Sequence, residues 1–500
     1  MAHHFANEIP AHLLMWRRVR EYAVPPSMIE RATARHAVGD WAGACAAAHI
    51  YVDLDLHAVR HGHGTDIATR LRDDLRQLAP DLLRWHMPRI APDGRLRPGL
   101  TVSLARYLRC GDPPLHLVVR TPPAWADAGQ HMSLTLWEGS GNGVPGQHPH
   151  PHPHPDRRFR LDLHRHLWDA GRSSDLAPRC GVRGAQSLAP SDQALITGRP
   201  VLPDGPDQLA GHDSPWAVGN WAAEAELLLR AEGLPRGAFT VRLGARRRAV
   251  LELVAPDDSH VPTFRSLCED DLPPQEIAAL PVLPEAAARV LPDLDLLRAG
   301  LVSAEGLHPL VAAALVAPGS APVDGPAPGP GDPHHVECRG ETHRIALRDG
   351  VLTAVDHDPA QLRREELLVA LGGPALPCLR AIDAVHRDPE ALPAVRERLG
   401  HGDVAGALAV VEGLLGPGAV LRDGPLRKEL ESATARRLDH GLFRSGLGAV
   451  HPSAGAAGSE NVSDGGRAKE GHRPRLDRRT PLPVRRKLSS RSRPRTSLAS

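Results

Sequence analysis

Apolar residues recur along this chain with two spacings, and the change between them falls near residue 98. Up to that point they return every three or four residues, the helical period. In PPSMIERATARHAVGD, Ser27 and Glu30 stand three apart as in a capping box, which predicts a helix start. Gly39 suits a left-handed stop, and Asp40 a cap for the next helix, WAGACAAA. Thr65 opens a third helix through DIATRLRDDLRQLA. Pro80 opens a fourth, because a proline in the first turn gives up no hydrogen bond.

From residue 99 the period drops to two. In LTVSLARYL, Leu100, Val102 and Leu104 alternate with Thr101 and Ser103; LHLVV, MSLTLW and FRLDL repeat the alternation. This predicts an antiparallel sheet with one buried face. A helix is expected over Trp216 to Ala231, then a hairpin in AFTVRLG and RRAVLELVA. Short helices follow from Pro273 to Ala317, interrupted at Pro281, Pro284 and Pro292. Farther on, HRIALRDGVLTAVD reads as a hairpin turned at Asp349-Gly350, a pair that accepts positive φ. Asp358-Pro359 reads as cap and first turn of the next helix.

The fold class is therefore α+β, and the patterns divide the chain. Residues 1–97 form a helical N-terminal region. Residues 98–316 form an α+β region with antiparallel strands, carrying a His-Pro loop at 139–156. Residues 317–334 are a Pro/Gly linker, 335–447 a β-hairpin plus helices, and 448–500 a disordered basic tail without apolar periodicity. One local echo joins distant parts: Gly39-Asp40-Trp41-Ala42-Gly43-Ala44 matches Gly402-Asp403-Val404-Ala405-Gly406-Ala407. Both read as helix, glycine turn, Asp cap and a small-residue helix, a hairpin suited to gripping a protein partner. No regular period connects the two copies, so they do not make a solenoid.

Composition narrows the chemistry. Of 60 basic residues only Lys428, Lys469 and Lys487 are lysines, and only Lys428 precedes the tail. An ATP P-loop, a pyridoxal phosphate (PLP) Schiff base and a kinase strand each need a placed lysine, so none is expected. A G-x-G-x-x-G string at Gly141, Gly143 and Gly146 is followed by histidines and prolines. No helix waits there for a pyrophosphate, and NAD is not expected. The overall charge of +1 hides a tail, from Arg467 on, with twelve basic and two acidic residues. Such a tail supports weak, salt-sensitive nucleic-acid contact. The six cysteines contain no C-x-x-C pair, so reduced, mostly buried thiols are expected. The longest apolar run, near Leu310, is too short for a bilayer, which needs about 18 residues. No membrane association and a cytoplasmic location are the expectations.

Four histidines are the metal-ligand candidates. His57 and His61 are four apart, on one face if helical. His164 and His166 would share a strand face with Arg160 and Asp162. In HPHPHPHPD, His148, His150, His152 and His154 alternate with prolines; a polyproline helix splays them apart, and a solvated loop is expected. Asp356, His357 and Asp358 leave a strand end, where sites often form.

HFANEIPAHLLMWRRVREYAVPPSMIERATARHAVGDWAGACAAA to WHMPRIAPDG, with THRIALRDGVLTAVDHDP and HGDVAGALAVVEGLL, resembles an uncharacterised family of cytoplasmic hypothetical proteins from high-GC bacteria. The resemblance implies no activity, cofactor or site residue. The first expectation for function is a non-enzymatic interaction or regulatory protein. The alternative is a metal-dependent enzyme using His/Asp clusters and a divalent metal; the next is a nucleic-acid-associated adaptor acting through its Arg-rich tail.

Overall fold

The computed structural model describes residues 9–108, 113–139, 150, 152, 154–181, 214–234, 236–245, 247–254, 262–268, 272–316, 335–338, 341–348, 351–372, 376–387, 391–416, 421 and 423–445. The Pro/Gly linker, the basic tail, the G-x-G-x-x-G string, His148 and the Asp349-Gly350 turn lie outside these residues. The chain divides into two compact units, residues 1–127 with 131–318 and residues 128–130 with 319–444. The α+β class holds, with strands mostly antiparallel.

The larger unit opens with helices α1 (Ala11–Tyr22), α2 (Pro26–Ala37) and α3 (Trp41–Ala47). The second begins two residues earlier than a Ser27 cap requires. Pro25 stands at its cap position without a side-chain bond, so Ser27 lies within the helix and the capping box does not form. Prolines at 25 and 26 already fix an extended-then-helical entry. Gly39 takes φ +77°, and the Asp40 carboxylate accepts from the Gly43 amide at 2.8 Å. After α4 (Leu56–His63) come α5 (Thr65–Gln77) and α6 (Pro80–His86), both starting where the sequence predicts.

A strand interrupts these helices. β1 (Ile50–Asp53) pairs in parallel with β6 (Met132–Trp137), β6 antiparallel with β5 (Leu115–Arg120), and β5 antiparallel with β4 (Thr101–Tyr107). At four residues β1 is too short to show an alternation, and its partner lies far along the chain. β2 (Arg89–Ile90) and β3 (Arg95–Leu96) form a separate short ribbon. One core runs through the helices and this sheet, from Val19 and Met28 through Leu71, Leu83, Val102 and Leu117 to Trp168 and Val311. The helical N-terminal residues and the sheet thus share an interior.

Two expectations for the sheet change. Thr101 and Ser103 are buried like their apolar neighbours, so β4 is covered on both faces. The cover is the segment after the His-Pro tract: the Asp156 amide donates to Thr101 O, and Ser103 bridges Arg160. The tract itself is not wholly solvated. His150 is buried, its ring nitrogens 2.9 Å from the carbonyls of Thr121 and His152. The FRLDL segment is no strand either. Phe159 and Leu161 are buried, but the backbone turns through two 3₁₀ segments, Leu161–Leu163 and Arg165–Leu167. Alternation over so few residues does not distinguish a strand from a tight turn that also buries every second residue.

A second core in this unit joins β7 (Ala238–Arg242), β8 (Arg248–Val254) and β9 (Thr263–Ser266) to the helix Trp221–Ala231, around Trp221, Leu228, Phe239 and Leu251. The helices Pro274–Ala279, Glu285–Ala288 and Pro292–Arg298 follow, broken where the prolines require.

In the smaller unit β10 (His335–Cys338), β11 (Glu341–Arg348) and β12 (Val351–Ala354) form an antiparallel sheet. Asp358 caps the helix Pro359–Ala370 by accepting from the Ala360 amide. The helices Pro377–Arg387, Ala391–His401, Val404–Leu415 and Pro425–Arg444 complete it. Among the described residues no helix is long and apolar enough to cross a membrane.

Candidate functional site

The predicted ligand histidines do not come together. His57 and His61 do share a face of α4, with ring centroids 4.2 Å apart, but both are exposed and His61 Nδ1 is 2.9 Å from His57 O. Asp55 is engaged as the cap of that helix, accepting from the amides of His57 and Ala58. Asp162 pairs with Arg160 at 2.8 Å, which removes it from the neighbouring histidines.

His164 and His166 fare differently. The paired 3₁₀ turns carry both inward, 2% and 5% exposed, to the wall of a cavity of about 260 Å³. Arg179 ends the short helix Leu176–Arg179; Asn220 precedes and Glu224 opens the helix Trp221–Ala231; Arg289 and Arg298 close the far side. Glu224 is the centre of the polar network. Arg179 Nε and Nη2 donate to its two oxygens at 2.5 and 2.6 Å, and His164 Nε2 lies 3.1 Å from Oε2. The other nitrogen of His164 faces Arg160 O at 3.0 Å. Arg179 also donates to Leu163 O, and Asn220 Nδ2 to Arg179 O. This is a fork-shaped cation–carboxylate pair, the geometry in which such bonds are strongest.

Burial would by itself push the Glu224 carboxyl up, but the bonds from His164 and Arg179 prevail and hold it down at about 2. His166 moves the same way for another reason. Burial first, then the charges of His164 and Arg179, push its imidazole down to about 2, so it is neutral at pH 7. Among the described residues it has no hydrogen-bond partner; its contact is the edge of His164, with centroids 5.8 Å apart. Arg289 stacks over Trp216, its guanidinium carbon 4.5 Å from the ring centroid. Three guanidiniums and two imidazoles line the cavity with one carboxylate, Glu224; Arg289 and Arg298 also pair with Glu285 and Asp295, outside the lining, at 3.4 and 3.6 Å.

Sequence reasoning named His164 and His166 but not Glu224, Arg179, Arg289 or Arg298. One signal was present. The helix Trp221–Ala231 buries Trp221, Ala225 and Leu228, and this spacing places Glu224 on the buried face. A carboxylate there needs a cation. Comparison with protein-family models, curated proteins and solved structures finds no match.

Proposed function

We propose that the protein is a non-enzymatic regulatory or interaction protein that takes a small anionic metabolite into the cavity walled by Arg179, Arg289, Arg298 and His166. The excess of guanidinium over carboxylate in that wall carries the reading. Clefts in which one sign of charge predominates concentrate the opposite one, and arginine matches carboxylate and phosphate oxygens two at a time. The volume, slightly below the ~300–1,000 Å³ of drug-sized sites, suits a small ligand.

Binding has more support than acid–base catalysis. A proton-transfer group works best when it titrates near the operating pH, and Glu224 and His166 both lie near 2. A metal-dependent enzyme has less support at His164, because Arg179 already holds both oxygens of its carboxylate partner.

The test is thermal unfolding of the full chain with inorganic phosphate, succinate and citrate, against neutral polyols. At least one anion is expected to raise the melting temperature, with the effect falling about tenfold in apparent affinity in an Arg289→Ala/Arg298→Ala variant. The anion is recovered chemically unchanged. Equal responses of variant and wild type, or turnover of the anion, would remove the reading.

A further inference from the structure

Three side chains from separate stretches of the smaller unit converge. Cys338 ends β10, His357 lies in the turn after β12, and Cys378 begins the helix Pro377–Arg387. One ligand atom from each lies within 4.8 Å of the others, and among the described residues this is the one such group of three. Both thiols are buried, at 1% and 0% exposure, and His357 is half-buried. The arrangement has local causes. β10 and β12 run the same way on either side of β11, with Cys338 opposite Glu341 and Ala354 opposite Ile345, so the chain leaving β12 heads toward the level of Cys338. Asp358, as cap of the next helix, fixes the turn in which His357 sits. The His343 ring stacks on that of His357, centroids 3.9 Å apart and planes at 20°, which holds the imidazole in place. Cys338, Ala354, Leu376 and Cys378 form a small core of their own.

The geometry points to a site for a thiophilic divalent cation, zinc above all, held by Cys338 Sγ, Cys378 Sγ and an imidazole nitrogen of His357. With bonds of about 2.3 Å to sulfur and about 2.0–2.1 Å to nitrogen, tetrahedral ligand atoms stand roughly 3.5–3.8 Å apart. That is inside the present spacing. Thiolate and imidazole ligands select zinc over magnesium or calcium, which take oxygen. Three protein ligands leave a fourth position for water or another donor. Burial and the neighbouring Cys338 push the Cys378 thiol up to about 11. As the ion binds, each thiol gives its proton to solvent and two metal–thiolate bonds form; no oxidant or reductant is involved. The site is independent of the cavity in the larger unit and uses none of its residues.

Cobalt(II) is the probe, because a thiolate ligand gives it a sulfur-to-metal charge-transfer absorption that the chain's many histidines cannot produce. The full-length, reduced, chelator-treated protein is expected to show that band, saturating near one cobalt per chain and displaced by zinc. Cys338→Ser and Cys378→Ser each abolish it, and His357→Ala weakens cobalt affinity about tenfold or more. A second measurement needs no variant. Zinc slows alkylation of Cys338 and Cys378 about tenfold in wild-type protein, read by peptide mass, while exposed Cys268 reacts unchanged. No charge-transfer band, a band surviving the double serine variant, or equal alkylation with and without zinc overturns the assignment.

Discussion

Arg20 and Asp293, far apart in sequence, form a buried bidentate ion pair: Nε donates to Oδ1 at 2.8 Å and Nη2 to Oδ2 at 2.7 Å. Trp85 adds an indole N–H to Oδ1 at 3.0 Å, and its ring lies under the guanidinium at 4.4 Å. The pair ties α1 to the helix Pro292–Arg298 inside one unit. Removing one member of such a pair leaves the other charge buried alone, at a cost of about 3–5 kcal/mol. Asp293→Ala is therefore expected to lower urea stability by that amount, whereas an Arg20→Met/Asp293→Leu variant recovers most of it. A loss below about 1 kcal/mol for the single variant would show that water relieves the stranded guanidinium.

Acid should unfold this unit earlier than carboxylates alone would. Burial pushes the imidazoles of His86 and His116 down to about 4 and that of His166 to about 2, from an ordinary 6.5. Below 6.5 the unfolded chain binds these protons and the folded chain does not, so stability falls as pH drops. Glu224 adds a second loss between its ordinary 4.5 and about 2. Urea midpoints measured from pH 7 to pH 3 are expected to decline from about pH 6.5, and below about 4 the loss continues through His166 and Glu224. Glu224→Gln should remove about 2 kcal/mol of the loss between pH 4.5 and pH 3, at about 1.36 kcal/mol per pKa unit. A midpoint constant between pH 6.5 and 4.5 would contradict the histidine contribution.

The two Gly-Asp turns predict a matched pair of effects. Asp40 and Asp403 accept from Gly43 and Gly406 at 2.8 and 2.9 Å, and are bonded by Arg35 and Arg398 at 3.0 and 2.8 Å. Gly39 and Gly402 both take positive φ. Removing a cap of this kind costs about 1 kcal/mol. Asp403 is 8% exposed in its side chain and Asp40 37%, so Asp403→Ala should exceed Asp40→Ala, as read by denaturant unfolding. The reverse order would mean that the capping bond and not its burial sets the cost.

A fragment of residues 1–97 should not fold. Its helices share their interior with Val102, Leu117 and Trp168, and β1 has its partner at 132–137. Circular dichroism of the fragment is expected to show partial helix with no cooperative thermal transition. A sharp transition would identify an independent domain.

Local rules were legible in the sequence, and long-range pairings were not. Pro80, Thr65 and Asp358 open helices as read, and Asp40 caps, because each acts within a turn of itself. The two-residue period found β4, β5 and β6, but Ile50–Asp53 was hidden among helices and its parallel partner lies in another region. For the cavity, His164 and His166 stood out as histidines. Their surroundings did not, since Arg179, Glu224 and Arg289 meet only after a helix and two 3₁₀ turns have folded. Cys338 and Cys378 looked scattered for the same reason: forty residues of chain separate two sulfurs that the fold makes neighbours.

The parallel pairing of β1 with β6 also sets an order of events at the ribosome. Ile50–Asp53 is synthesised about 80 residues before Met132–Trp137. At roughly 5–20 residues per second, that strand waits several seconds for the strand it pairs with. Through that interval the early helices have Leu71, Leu75 and Leu83 uncovered on the nascent chain, a stretch that a chaperone can grip before the sheet arrives to take its place.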